Sequence, residues 1–346
     1  MIFQTQAGLE SSMLRKPYLI FLGAERSPAL SKTAFGIRDW LPDDTVAQWG
    51  LPGCEIDLGI ATITPEEAYA AGARSLLIGV ASIGGKIPDA WHPALIRAIE
   101  AGLDIVSGLH TKLGSIPALE EAARRCGRQL HDVRHSTRQF PIGTGRRRQG
   151  RRLLTVGTDC ALGKKYTALT LAKALQSRGV AADFRATGQT GIMIAGDGVA
   201  IDAVVADFIA GAAETLSPDS AADHWDVIEG QGSLFHPGYA SVTLGLLHGS
   251  QPDALVLCHD PLRTTINEYP DYPIPALSDA VQAYLSAGRL TNPEVRFVGV
   301  SLNTSKMDDA AAAATVAAVE RELELPCFDP LRFGVEKVVD SLLAGA

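Results

Sequence analysis

Short apolar runs alternate with stretches of helical periodicity along most of the chain. In the first half, residues 18–22, 75–80, 103–106 and 129–133 have the length and the branched or aromatic content of strands. Helices are predicted between several of them, near 65–71, 93–101 and 117–126. In the second half, strands are predicted at 153–156, 182–185, 225–228, 254–258 and 295–300, with helices near 164–177, 201–215, 275–287 and 308–322. Strands that alternate with helices form parallel sheets covered on both faces, so each half predicts an α/β domain. The Gly- and Arg-rich stretch 143–152 separates them. The expected organisation is a Rossmann-like N-terminal domain over residues 1–145 and a P-loop NTPase-like three-layer C-terminal domain over 151–346. The arginines 146–148, 151 and 152 read either as a solvated connection or as a cluster leaning over a nearby anion site.

Composition narrows the class. With 346 residues, 46% of them hydrophobic, the chain is long enough for two cores. A net charge of −8 argues against general binding to nucleic acid or to anionic membranes. The most apolar runs, 18–22 and 254–257, fall far short of the roughly 20 residues of a membrane span, and no signal peptide is visible. Five cysteines without a CxxC pair suggest neither a disulfide framework nor a zinc site. The expectation is a cytoplasmic homo-oligomer acting on a small molecule.

The strongest chemical signal is the turn between strand 153–156 and the following helix. Gly157, Thr158, Asp159, Cys160, Ala161, Gly163 and Lys164 form a phosphate-binding pattern, in which small residues let backbone N–H groups and a helix N-terminus converge on an anion. Lys165, followed by Tyr166, stands where a P-loop NTPase carries the hydroxyl that ligates Mg²⁺. The loop therefore reads as a holder of phosphates without a metal. Glu229, at the end of strand 225–228 beside Gly230 and Gly232, is a candidate general base or metal ligand, with loop bracing as the alternative. His236 follows in the same connection.

Other strand ends face the same edge. Arg185, Thr187, Gln189 and Thr190 occupy a polar loop with Gly188 and Gly191, suited to close approach by a ligand. Arg263 is a candidate grip for a carboxylate, and Asn303 a candidate reader of a base edge. In the first half, Gly84, Gly85 and His110 follow strands and serve either as turn residues or as ligand contacts. Asp202, Asp207 and Glu214 are expected to be solvated or capping.

Two resemblances rest on these motifs. The run 157–164 with Glu229-Gly230-Gln231-Gly232 looks like the dethiobiotin synthetase type of P-loop. More specifically, 157–165, 186–191, 224–237 and Leu247-His248-Gly249 resemble the D-glutamate N-acetyltransferase family, and the likeness extends through 17–23, Gly84-Gly85 and Gly108-Leu109-His110 to cover residues 17–343. Residues 1–12 fall outside it, with Met13 a candidate start. The resemblance implies a Rossmann-like domain joined to a P-loop-like domain, and transfer of acetyl from acetyl-CoA to the amine of D-glutamate, bound in a cleft between the domains. Phosphate holding without hydrolysis suits that co-substrate. A protonated amine must lose a proton before it attacks, with Glu229 as the first choice of base and His236 the second. Cys160, at a helix N-terminus near lysines, is expected either to carry acetyl on a thiol of lowered pKa or simply to fill the turn. The rival readings are a Mg²⁺-dependent ATP-using ligase or kinase and a nucleotide-sensing binding module.

Overall fold

The computed structural model describes residues 14–135 and 138–344, so the expectation concerning residues 1–12 and Met13 lies outside the described residues. The chain forms two compact units: one from the chain before Arg138 together with Ile192–Asp197, the other from Arg138–Gly191 and the chain from Gly198 onward.

The first unit runs β1 (Tyr18–Gly23), α1 (Lys32–Trp40), β2 (Thr45–Gly50), α2 (Pro65–Ala70), β3 (Ser75–Ile78), α3 (His92–Glu100), β4 (Asp104–Ser107), α4 (Pro117–Cys126) and β5 (Leu130–Asp132). Its sheet has the order β2-β1-β3-β4-β5 with every neighbouring pair parallel. Both faces of the central strands are covered, which is why β1 is buried at all six positions and reads as one apolar run. Strand β2 and helix α1 add to the predicted elements. In β2 the polar Gln48 is buried because its amide donates to Asp57 and Thr62 and its carbonyl accepts from the Leu58 amide.

The second unit contributes β6 (Arg151–Gly157), α5 (Lys164–Ser177), β7 (Ala182–Arg185), the opening residues of α6 (Gln189–Ala195), whose residues from Ile192 onward are counted with the first unit, α7 (Ile209–Leu216), β8 (Trp225–Ile228), α8 (Ala240–Ser250), β9 (Ala254–His259), a hairpin of β10 (Thr265–Ile266) and β11 (Tyr269–Pro273), α9 (Leu277–Gly288), β12 (Arg296–Leu302), α10 (Asp309–Leu323), β13 (Cys327–Phe328) and α11 (Glu336–Ala344). The six-stranded parallel sheet is ordered β13-β12-β9-β6-β8-β7, so β6 is flanked by β8 and β9 and their C-terminal ends open on one edge. One apolar cluster, including Leu154, Val156, Leu255 and Leu257, lies on one face, and a second, including Leu153, Leu171, Val227 and Val256, on the other.

Three expectations are corrected. The helix expected over 201–215 is two 3-10 turns, Ile201–Ala203 and Ala206–Phe208, followed by α7, because Val204 and Val205 both have ψ 136°, outside the helical range. The loop expected through Gly191 turns helical at Gln189. The arginine cluster lies at the start of β6, about 20 Å of strand rise from the phosphate loop at its end. There Arg148 donates to the carbonyls of Ser217, Gly249 and Ser250, Arg152 donates to Ser217 and Pro218, and Arg146 and Arg147 pair with Asp219 and Asp253.

Candidate active site

The turn after β6 is built to present backbone amides. Ala161 and Gly163 adopt left-handed conformations at φ 55° and 109°, and the 14-residue α5 begins directly after Gly163, so the positive end of its dipole lies at the turn. Buried Lys164 donates from Nζ to the Asp159 carbonyl at 2.8 Å, and burial pulls its ammonium pKa down. Buried Thr158 hydrogen-bonds through Oγ1 to His259 Nδ1 at 2.9 Å. Asp159 is fully buried and its carboxylate accepts three hydrogen bonds: Oδ1 from the Cys160 amide at 2.6 Å, and Oδ2 from Arg263 Nη1 at 2.6 Å and the Asn267 amide at 2.8 Å. Arg263 also donates to the Cys160 carbonyl at 2.7 Å. The hairpin β10–β11 is thereby tied to the loop. Beneath it, the Tyr284 hydroxyl donates to the Gly157 carbonyl at 2.7 Å and accepts from the Leu234 amide at 3.2 Å.

Glu229 lies beside this loop, at the end of the neighbouring strand. Only 4% exposed, its Oε2 accepts from the Thr187 and Gly188 amides, both at 3.1 Å, while the Thr187 hydroxyl donates to its backbone carbonyl at 2.5 Å. A methyl group on Gly191 would lie 2.2 Å from Oε2, and one on Gly230 would strike the Thr155 carbonyl, so both glycines are required by close approach. Burial pushes the Glu229 carboxyl up to about 7, against the opposing pull of Lys165, the two amides and Lys164. A carboxyl poised there suits proton transfer near neutrality. His236 is 3% exposed, its ring 4.5 Å from that of Tyr239 and edge-on to Tyr269 at 5.1 Å.

The remaining candidates divide. Gln189 and Thr190 open α6, next to the amides that hold Glu229. Asn303 follows β12, donating its amide to the His259 carbonyl and accepting at Oδ1 from the Ser305 amide. Arg185 is not brought to the cluster: its guanidinium is engaged by Asp226 at 2.7 Å and Asp183 at 3.2 Å, both on the same sheet face and set back from the strand end. Gly84, Gly85 and His110 belong to the first unit, where the Gly85 carbonyl accepts from the His110 amide at 2.8 Å and a methyl on Gly85 would lie 2.2 Å from the His110 ring. The lowered thiol pKa expected of Cys160 is overturned. Burial raises it, outweighing Lys164 and Arg263. Asp159, Cys160 and His236 each place a ligand atom within 4.8 Å of the others, as do Asp183, His224 and Asp226. A guanidinium already engages a carboxylate in each group, Arg263 on Asp159 and Arg185 on Asp226. Tyr284, Asn267 and Tyr269 were not singled out by the motifs. Tyr284 reads as one more apolar position of a helix, whereas the Tyr269-Pro270-Asp271-Tyr272 run offered a visible cue.

Comparison with known proteins agrees with this architecture. The P-loop domain of unknown function DUF1611_C matches residues 141–339, and the Rossmann-like domain DUF1611_N matches 50–136. A D-glutamate N-acetyltransferase from Tritonibacter scottomollicae is 50% identical over 96% of this chain and 100% of its own length. Another of that name, from a Pseudoalteromonas species, is 44% identical over 95% of this chain and 99% of its own. The crystal structure of a DUF1611 family protein from Anabaena variabilis superposes with a TM-score of 0.85 at 35% identity, covering 95% of this chain and all of that one. With both domain models in place and relatives of that name matching it almost end to end, the chain belongs to the D-glutamate N-acetyltransferase family of DUF1611 proteins.

Proposed function

We propose that the protein transfers acetyl from acetyl-CoA to the amine of D-glutamate, as a cytoplasmic enzyme of D-amino-acid breakdown, with Glu229 as the general base. The observation that carries this reading is the pairing of a phosphate loop bearing Lys165 in place of a Mg²⁺-binding hydroxyl with a buried carboxyl pushed up to about 7. The N-terminus of α5, with Lys164 and Lys165, fits the phosphates of coenzyme A. Bound there, acetyl-CoA supplies an acyl carbon with a thiolate leaving group. Glu229, once ionised, takes the proton that the acceptor's ammonium must shed, so activity rises with pH through about 7. The acidic acceptor is supported by the relatives' names rather than by Arg185 or Arg263, whose charges are engaged by Asp226, Asp183 and Asp159.

The test is thiol release by purified protein from acetyl-CoA in the presence of D-glutamate, L-glutamate and D-alanine, without added metal. Release with D-glutamate alone supports the reading. Mg²⁺-dependent ATP turnover without thiol release replaces it with the ligase or kinase class.

A further inference from the structure

We infer that His236 acts as a hydrogen-bond donor through Nε2–H toward the thioester carbonyl oxygen, and not as a base or a metal ligand. This rests on the acetyl-transfer reading above. The deciding contact is the Gly238 amide, which donates to His236 Nδ1 at 3.1 Å. A backbone N–H has no acceptor role, so the direction is unambiguous: Nδ1 presents its lone pair inward, and the ring's proton resides on Nε2. A base acting at Nε2 needs that atom bare. A metal at Nε2 needs the proton moved to Nδ1, where the Gly238 N–H opposes it, and a metal at Nδ1 would have to displace the same N–H. The ring is held in this setting by Tyr239 and Tyr269 and by burial to 3% exposure.

Placement supports the donor role. A ring nitrogen of His236 lies within 4.8 Å of the Cys160 sulfur and of an Asp159 carboxylate oxygen, so the ring sits against the loop after β6. An uncharged donor is a modest partner for a phosphate dianion. It is well matched to a carbonyl oxygen that gains negative charge only as the amine attacks, and a preset donor of this kind is worth about 10²- to 10³-fold in rate.

Three substitutions separate the roles. Gln at 236 sets an amide N–H near the position of Nε2, whereas Asn offers an acceptor for the Gly238 amide but no donor at that reach, and Ala offers neither. The expected result is that His236→Gln keeps kcat within about tenfold of wild type, while His236→Asn and His236→Ala lose about 10²- to 10³-fold with little change in KM for acetyl-CoA. Long-range ¹H–¹⁵N spectra of the wild type should show the His236 proton on Nε2. A proton on Nδ1, or a Gln variant no more active than Ala in a background of active wild type, overturns this inference alone. A wild type that releases no thiol overturns the acetyl-transfer reading, and this one with it.

Discussion

Replacing Glu229 with Gln should inactivate the enzyme and, at alkaline pH, stabilise it. The carboxyl's pKa rises from 4.5 to about 7 on folding. The native state therefore holds the proton more tightly than the unfolded chain. The stability this contributes is complete below about pH 4.5 and is lost as pH climbs through about 7. At about 1.4 kcal/mol per pH unit, the interval is worth about 3 kcal/mol. Gln keeps the shape, accepts from the Thr187 and Gly188 amides through its carbonyl oxygen, and never ionises. Urea unfolding should show the variant matching wild type near pH 4.5 and exceeding it by up to about 3 kcal/mol at pH 8, with an unchanged m-value. In the same preparations kcat should fall by about 10²- to 10⁴-fold, with partial recovery in alkaline buffer as the acceptor amine loses its own proton. A variant less stable than wild type at pH 8, or one that retains near-normal kcat, refutes the account of a desolvated base.

Lys164→Ala removes a buried ammonium from the loop and should weaken coenzyme A binding by about 1.5–3 kcal/mol in calorimetry without Mg²⁺; an unchanged affinity would place the phosphates elsewhere. Arg263→Ala leaves the fully buried Asp159 carboxylate without its cation and should cost about 3–5 kcal/mol of stability, most of it restored by adding Asp159→Asn. A thermal melt that does not move contradicts the pairing. Cys160→Ser should retain turnover, because burial raises the thiol pKa, and an acetylated Cys160 peptide in mass spectra of wild type under turnover would reinstate the acyl-enzyme route.

Much of the fold was legible in the chain because buried parallel strands are near-continuous apolar runs. Strands 182–185 and 225–228 and helix 164–177 emerge with the bounds read from sequence. Elements that break that pattern were hidden. Strand β2 contains Gln48, whose burial depends on partners from a loop downstream, and α8 carries Gly245 and Gly249 at close helix contacts with Ile209 and Ala210. At the site, the strand-end position of Glu229 was readable, but its raised pKa was not. That shift arises from burial, which outweighs the lowering pull of the Thr187 and Gly188 amides and depends on the chain that follows another strand. The arginines misled for a related reason: nothing local distinguishes Arg185, folded back onto Asp226, from a cation offered to a ligand.

The phenol that braces the phosphate loop also makes the protein its own optical reporter. Burial pushes the Tyr284 pKa to about 12, and burial likewise raises that of Tyr18 in the other unit. Tyr69, Tyr239, Tyr269 and Tyr272 lie at the surface, whereas Tyr18 and Tyr284 are buried. Ionisation of the two hidden phenols waits until their surroundings open. In stopped-flow pH jumps, the late rise in tyrosinate absorbance then times the opening of the protein, and Tyr284→Phe and Tyr18→Phe assign its phases to one unit or the other.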